Sequence, residues 1–375
     1  MKKIKIAHIL HCVGGVEVSL RLITKNINPD KYENIIIHGL KDTNAIFSDR
    51  NDQELKSYKL PIYREIALLS DLKSIYATYK IIKKERPDII HVHSAKGGII
   101  GRVVGKFFKI KVLFTPQAFS FLSEKKGIKR FIFLKIEQFF ANGNSILLAS
   151  SNSEKDRGID EVGYQKEKVL LFNNCINPIN YLPKLPLSKT WPDEYICTVG
   201  RPCYQKNIDF MIQVFHEVLK EKQTHLVIMG VGHHADQLDL VENLIKELNL
   251  TNHVTLLKWT SREDVLSIIN NSQLYISTAR YEGLPYSIIE SLALAKPCVV
   301  SDCDGNRDLI VDGYNGFVIK DYDLNSFKEK TVQLLNNSEL HLRFSENAKQ
   351  FFDQNFNIKT NIADLEYIYS KFSIN

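Results

Sequence analysis

The sequence predicts an α/β protein of two domains, each built on a parallel sheet. Three observations lead there. Short apolar segments alternate with longer amphipathic ones, the pattern of strands joined by crossover helices. The 375 residues are enough for two domains of ordinary size. Between Asn173 and Asp193 the alternation stops and four prolines and several asparagines replace it, as in an interdomain linker.

Taken in order, Ile4–Leu10 is an apolar strand that leads into Gly14-Gly15. Paired glycines let a backbone turn tightly or approach an anion closely, and either reading fits here. The spacing is not G-x-G-x-x-G, so no dinucleotide fingerprint is present. Further strands are expected over Asn34–His38, Ile89–His93, Val112–Thr115 and Ile146–Ala149. The helices between them are Glu17–Asn26, Leu68–Lys84, Gly97–Phe107 and Lys129–Phe140. Beyond the linker, strands Tyr195–Gly200, His225–Met229, Val254–Leu256 and Leu274–Ser277 alternate with helices Asn207–Lys220, Gln237–Leu248 and Asp264–Asn270. In the segment from Tyr281 to Gly316, Pro285 suits a first helical turn and Ser287–Ala295 reads as helix. Lys296-Pro297 ends that helix, and Cys298–Ser301 is an apolar strand.

Composition excludes several classes. Apolar content of 44% and charged content of 25% describe a globular protein. No stretch approaches the roughly 20 apolar residues of a membrane span. The basic start MKKIKIAHIL is better explained by a first strand than by a signal peptide. Six cysteines without CxxC spacing suggest reduced, mostly buried thiols of a cytoplasmic protein. Residues 1–150 carry 26 Lys and Arg against 13 Asp and Glu, a net +13, whereas residues 151–375 carry 23 against 30, a net −7. The first half is thus built to face something negative. No nucleic-acid motif accompanies the charge, so an anionic membrane surface or a lipid-diphosphate in it fits better. The stretch 124–140 mixes Lys125, Lys126, Lys129, Arg130 and Lys135 with four phenylalanines. Such a helix lies on anionic membranes, or else forms a core helix with a basic solvated face.

Chemistry concentrates in a few motifs. Glu282 and Glu290 flank a loop-to-helix junction, where Gly283, Leu284 and the neighbouring amides face a site favourable to anions. An inner carboxylate can accept sugar hydroxyls while an outer one takes the two hydroxyls of a ribose. Gly200-Arg201 followed by Lys206 places two cations five residues apart after a strand, a clamp for a diphosphate or ordinary surface charge. His91 and His93 share one strand face and are either a partial metal site or structural histidines. Asp302-Cys303-Asp304 is formally DxD, a spacing that any short acidic run can produce, and no metal is assigned to it.

Together, EGLP with its two glutamates, GRx4K at Gly200–Lys206 and HxHSxKxG at His91–Gly98 resemble retaining family 4 glycosyltransferases, particularly bacterial capsular or exopolysaccharide enzymes. The resemblance covers nearly the whole chain. It implies a GT-B fold, two Rossmann-like domains facing across a cleft: residues 1–175 on the acceptor side, a linker over 176–193, and a donor domain over 194–360. A last helix, about 361–375, would return to the first domain. It implies transfer from a nucleotide-diphosphate sugar, UDP-linked by preference, to a lipid-linked saccharide, without cofactor or metal, at the inner face of the plasma membrane. Arg201 and Lys206 would neutralise the diphosphate, Glu290 hold the ribose and Glu282 orient the sugar. Gly14, Gly15, Gly230 and Thr260 would complete the donor site, and Trp259 would lie near the base or in the core. His93, Ser94 and Lys96 would face the acceptor. One departure stands out: Gln117 follows Thr115-Pro116 where the family has histidine, and glutamine carries no titratable proton. A GT-B epimerase and a non-catalytic nucleotide-sugar-binding relative are the alternatives.

Overall fold

A computed structural model describes residues 2–12, 14–63, 67–124, 127–180, 189–232, 235–258 and 260–373. Trp259, Lys125, Lys126 and residues 181–188 of the linker lie outside the described residues. The chain forms two compact units, one of residues 1–177 with 358–375, the other of residues 178–357.

The first unit holds seven strands: β1 (Ile4–Leu10), β2 (Tyr32–Gly39), β3 (Lys56–Leu60), β4 (Ile89–His93), β5 (Lys111–Thr115), β6 (Ser145–Ala149) and β7 (Val169–Leu171). They pair in parallel in the order β3-β2-β1-β4-β5-β6-β7. Helices α1 (Gly15–Asn26), α2 (Leu68–Glu85), α3 (Ser94–Phe108), α4 (Ile128–Ala141) and α5 (Asn152–Arg157) make the connections. In the second unit β8 (Ile196–Val199), β9 (Leu226–Met229), β10 (Val254–Leu257), β11 (Tyr275–Ser277), β12 (Cys298–Ser301) and β13 (Gly316–Ile319) pair in the order β10-β9-β8-β11-β12-β13. Its helices are α6 (Ile208–Leu219), α7 (Leu238–Glu247), α8 (Arg262–Asn271), α9 (Tyr286–Ala293), α10 (Asn306–Leu309), α11 (Leu324–Asn336) and α12 (Ser338–Asn355). Both sheets run outward in two directions from a central pair, β1/β4 and β8/β11, so each is doubly wound.

The apolar strands are buried on both faces, as crossover helices require. In the first unit one face packs Ile9, Ile90 and Val92 under α2, α3 and α4. The other packs Ile6, Ile89 and Leu113 under α1 and α13 (Ile358–Ser373). The last helix thus belongs to the first unit. Ile358 N–H donates to the carbonyl of Ile176 at 2.9 Å, where the outgoing and returning chains pass. All six cysteines are buried and unpaired.

Strands β3, β7 and β13 escape the sequence reading. β3 is an edge strand whose lysines and serine look like loop, and β7 is three residues long. The third helix starts at Ser94, not Gly97, because its glycines serve packing. A Cβ on Gly97 would lie 2.4 Å from the Ile9 carbonyl and one on Gly101 2.1 Å from Val92. The helix at Tyr286 stops at Ala293 rather than Ala295, which sits at φ 56°.

Candidate functional site

In a doubly wound sheet, ligands bind outside the carboxyl ends of the strands where the order reverses. In the second unit that point lies between β8 and β11, and the loops that leave these two strands carry the predicted charges. After β8 the chain passes Gly200 and Arg201 and reaches α6 through Asn207, which is held left-handed at φ 53°. After β11 it passes Thr278 to Leu284 and enters α9 behind Pro285.

The two loops are stitched together. The Thr278 hydroxyl donates to the Asn207 carbonyl (3.0 Å), and Arg280 donates from its main chain to the Gln205 carbonyl (2.8 Å) and from its side chain to that of Tyr204 (2.6 Å). The Tyr275 phenol, fully buried, accepts from Val199 N–H and donates to Ser287 Oγ, tying β8 to α9. Across this frame Lys206 Nζ lies 2.7 Å from Glu282 Oε1, and Gln205 Nε2 donates to the other oxygen at 3.2 Å. Burial alone would pull the Lys206 ammonium down, but Glu282 and then Tyr275 outweigh it and hold it above the ordinary lysine range. Lys206 is therefore a fixed, permanent cation. Arg201, half-buried on the same loop, has no ion pair among the described residues.

Behind Glu282 stands Gly305 at φ 80°, where a Cβ would come within 2.8 Å of the Gly283 carbonyl and 2.9 Å of the Glu282 Cβ. Only glycine lets the loop after β12 press so closely on the glutamate loop. Asp302 and Asp304, the formal DxD, both pair with Arg307 at 2.6 Å. Gly230, at φ 87°, follows β9 on the same edge. Leu284 is buried there, and Thr260 Oγ1 is buried without a partner.

Glu290 is nearly buried on α9 and meets Arg262 Nη2 at 2.8 Å. Burial raises its carboxyl above the usual range, with Arg262 pulling the other way. Arg262, Gln205, Arg280 and Tyr275 are the residues that sequence reasoning missed at this site. Arg262 opens α8, whose N-cap Ser261 accepts from Asp264 N–H.

The corresponding edge of the first unit differs in kind. Gly14 adopts φ 61° and ψ −130°, open to glycine alone, just before α1 begins at Gly15. At the ends of β4 and β5, Ser94 and Gln117 are left-handed at φ 61° and 52°, and each has a buried polar atom, Oγ and Nε2, without a partner. Backbone strain beside unpartnered polar atoms makes this edge a candidate ligand site. Lys96 pairs with both oxygens of Asp71 at 2.8 Å.

His93, expected on the acceptor side, has no exposed surface, and its Nδ1 is buried without a partner. His8, His91 and His93 are, among the described residues, the only group of three potential metal ligands close together. Five of their six ring nitrogens are already engaged. Thr115 donates to the Leu148 carbonyl, so it accepts from His91 Nε2–H, and His91 Nδ1 accepts from the Tyr369 hydroxyl at 2.7 Å. Asn34 Oδ1 accepts from His8 Nε2–H, so His8 Nδ1 accepts from His93 Nε2–H, both at 3.0 Å. His8 and His93 form a neutral hydrogen-bonded pair, and His91, packed against both rings, anchors the last helix through the Tyr369 hydroxyl. Burial holds all three below the usual imidazole range, His8 at about 4.

Family models agree with this division. One for glycosyltransferase family 4 matches residues 13–179, and one for glycosyl transferases group 1 matches residues 187–351. The chain is a GT-B glycosyltransferase. The transferase is 28% identical to a UDP-Gal:α-D-GlcNAc-diphosphoundecaprenol α-1,3-galactosyltransferase of Escherichia coli, over 100% of this chain and 98% of that one. It is 26% identical to a capsular polysaccharide biosynthesis glycosyltransferase of Staphylococcus aureus, over 99% and 98%. Its fold matches sucrose-phosphate synthase from Thermosynechococcus elongatus at a TM-score of 0.84 and 16% identity, covering 99% of both chains. It also matches Anabaena HepE in complex with UDP-glucose at 0.77 and 17%, over 98% and 99%.

Proposed function

We propose that this transferase moves a sugar from a UDP-sugar to a lipid-linked saccharide in surface-polysaccharide synthesis, with retention at the anomeric carbon and without a metal. The lipid-linked acceptor rests on the galactosyltransferase relative, and the surface polysaccharide on the capsular one. The observation that carries the reading is the Lys206–Glu282 pair beside Arg201 at the β8/β11 switch point.

As the bond from the anomeric carbon to the diphosphate breaks, negative charge gathers on the leaving oxygens. Arg201 and Lys206 are fixed cations for it, and a charge held in advance needs no reorganisation during the reaction. The leaving phosphate oxygen takes the acceptor hydroxyl proton while that hydroxyl oxygen bonds the anomeric carbon from the same face. Glu282 has two tasks: it holds Lys206 in place and charged, and it accepts a sugar hydroxyl. Glu290, together with Arg262, receives the ribose. In the first unit Gly14 and Gly15 offer backbone open to a phosphate, and Ser94, Lys96 and Gln117 serve the acceptor. The basic-aromatic stretch 124–140 brings the enzyme to the cytoplasmic face of an anionic membrane as a peripheral protein.

The test is incubation with a panel of UDP- and GDP-sugars and a synthetic N-acetylglucosaminyl diphospholipid. A UDP-sugar should give a single new α-linked disaccharide, read by NMR, and EDTA should leave the rate unchanged. An inverted linkage, or EDTA inhibition reversed by manganese, would overturn the reading.

A further inference from the structure

The stretch 124–140 is not the only unpartnered apolar surface of the first unit. On α4, Ile128, Phe131, Ile132 and Phe139 are 46–79% exposed along one helical stripe. On α2, Leu68, Leu69, Leu72 and Tyr76 form a second stripe at 61–79% exposure. Between them, at the end of α3, Phe107 is 72% exposed. Ring and cation contacts make this one surface. Phe107 meets Tyr79 of α2 at 6.3 Å, and Lys106 of α3 lies 6.0 Å over the Phe139 ring of α4.

Its charge has one sign. The exposed positions of the three helices carry Lys73, Lys80, Lys83 and Lys84 on α2, Lys106 on α3, and Lys129 and Lys135 on α4, with no exposed acid. The acids these helices do carry are turned away: Glu137 pairs with buried Arg102 at 2.7 Å, Glu85 is buried against Lys56, and Asp71 is held by Lys96. Lysines also sit over the aromatic rings, Lys80 over Tyr76 at 4.5 Å and Lys135 over Phe131 at 5.4 Å. Large exposed apolar side chains in a field of lysine are the chemistry that binds anionic lipid, apolar groups among the acyl chains and ammonium groups at the phosphates. A cavity of about 310 Å³ at the ends of α3 and α4, lined by Arg102, Lys106 and Phe139 among others, has room for a phosphate head group there.

We infer that α2, α3 and α4 form a single docking surface for an anionic bilayer, wider than the basic-aromatic helix alone. This rests on the membrane-contact reading above and extends it to two more helices. Helices α2, α3 and α4 each follow a strand and run back across the sheet, so Leu68, Leu69, Leu72, Ile128 and Phe131 lie toward the strands' carboxyl edge. That is the edge of Ser94 and Gln117. A docked membrane would therefore present a lipid-borne saccharide to the strained, unpartnered groups.

The experiment is co-sedimentation of the full chain with vesicles of phosphatidylglycerol and phosphatidylcholine, or of phosphatidylcholine alone. The variants are L69E/L72E on α2, F107E on α3 and F131E/I132E on α4, with L69Q/L72Q separating repulsion from lost insertion. All substituted positions are exposed, and unchanged Tm and UDP affinity will show that the fold is intact. The wild type should bind anionic vesicles at least about tenfold better than neutral ones and lose that preference in high salt. Each glutamate variant should lower binding about tenfold, and the glutamine variant should lower it less. If the α2 and α3 variants bind like wild type while the α4 variant does not, the three-helix surface is wrong and the narrower reading stands. If the wild type binds neither vesicle, both fall.

Discussion

The carboxyl edges of the two sheets occupy equivalent places in similar folds, yet the switch point of one is charged and that of the other neutral. In the second unit Lys206, Arg201, Glu282, Glu290 and Arg262 crowd the β8/β11 junction, with two close ion pairs among them. In the first, the β1/β4 junction is floored by three uncharged imidazoles and edged by Ser94 and Gln117. A diphosphate departing as an anion needs standing charge; an acceptor hydroxyl needs neutral hydrogen-bonding groups that hold it without stripping its proton early. The first unit's formal charge of +13 over residues 1–150 lies instead largely on its outer surface, where a membrane would meet it.

Removing a charge from the second edge should have the largest effect. Lys206→Ala should lower kcat/KM by about a hundredfold or more, some 2.7 kcal/mol of transition-state stabilisation, and lower Tm as well because Glu282 loses its partner. A loss of less than about fivefold would show that Arg201 alone carries the leaving group.

The two glutamates should separate by what each mutant loses. Glu290→Gln should weaken UDP and UDP-sugar alike by about tenfold, because the carboxylate serves the part they share. Glu282→Gln frees Lys206 from its partner, so UDP affinity should hold or rise while kcat falls at least about tenfold. Equal losses of UDP affinity in both would contradict the assignment.

The neutral edge should instead reveal itself through pH. His8 titrates near 4 when folded against about 6.5 when unfolded, so the unfolded chain binds the extra proton. Its contribution is complete above pH 6.5 and fades as the pH falls toward 4. By pH 5 about 2 kcal/mol should be lost at the packed histidines, of which His91 holds Tyr369. Hydrogen exchange across residues 358–373 at pH 7.5 and 5.0 will read this. Equal protection at both would show that the histidines do not hold the helix.

The last test concerns Gln117. Gln117→Ala should cost about 1–3 kcal/mol in kcat/KM, one or two hydrogen bonds, and leave the pH profile unmoved. A wild type that binds UDP-sugars but never turns over, beside an active Gln117→His, would falsify the enzymatic assignment of this chain.

Much of this was legible in the residues. Period and punctuation give the alternating elements, and Cys298–Ser301 is a strand to the residue because β-branched side chains and flanking Pro297 leave little choice. The two glutamates and the GRx4K cations were readable because their chemistry is local. What was not legible depends on pairing across the fold. Arg262 reaches Glu290 across 28 positions, His8 joins His93 across 85, and Lys206 meets Glu282 across 76. A free diphosphate clamp read from sequence becomes a cation already neutralised by a carboxylate once β8 and β11 lie side by side.

The return of the last helix to the first unit has a consequence for synthesis. Residues 1–177 leave the ribosome first, but the side chains of Ile6, Ile23, Ile89 and Leu113 wait for Leu365, Ile368 and Tyr369 to cover them. The intervening 180 residues of the second unit must be made before that cover arrives. The nascent chain therefore carries an open apolar face for much of its translation, a target for chaperones and a hazard for aggregation. A stop codon near position 357 would spare every donor-side residue and still leave a chain unable to close its first domain.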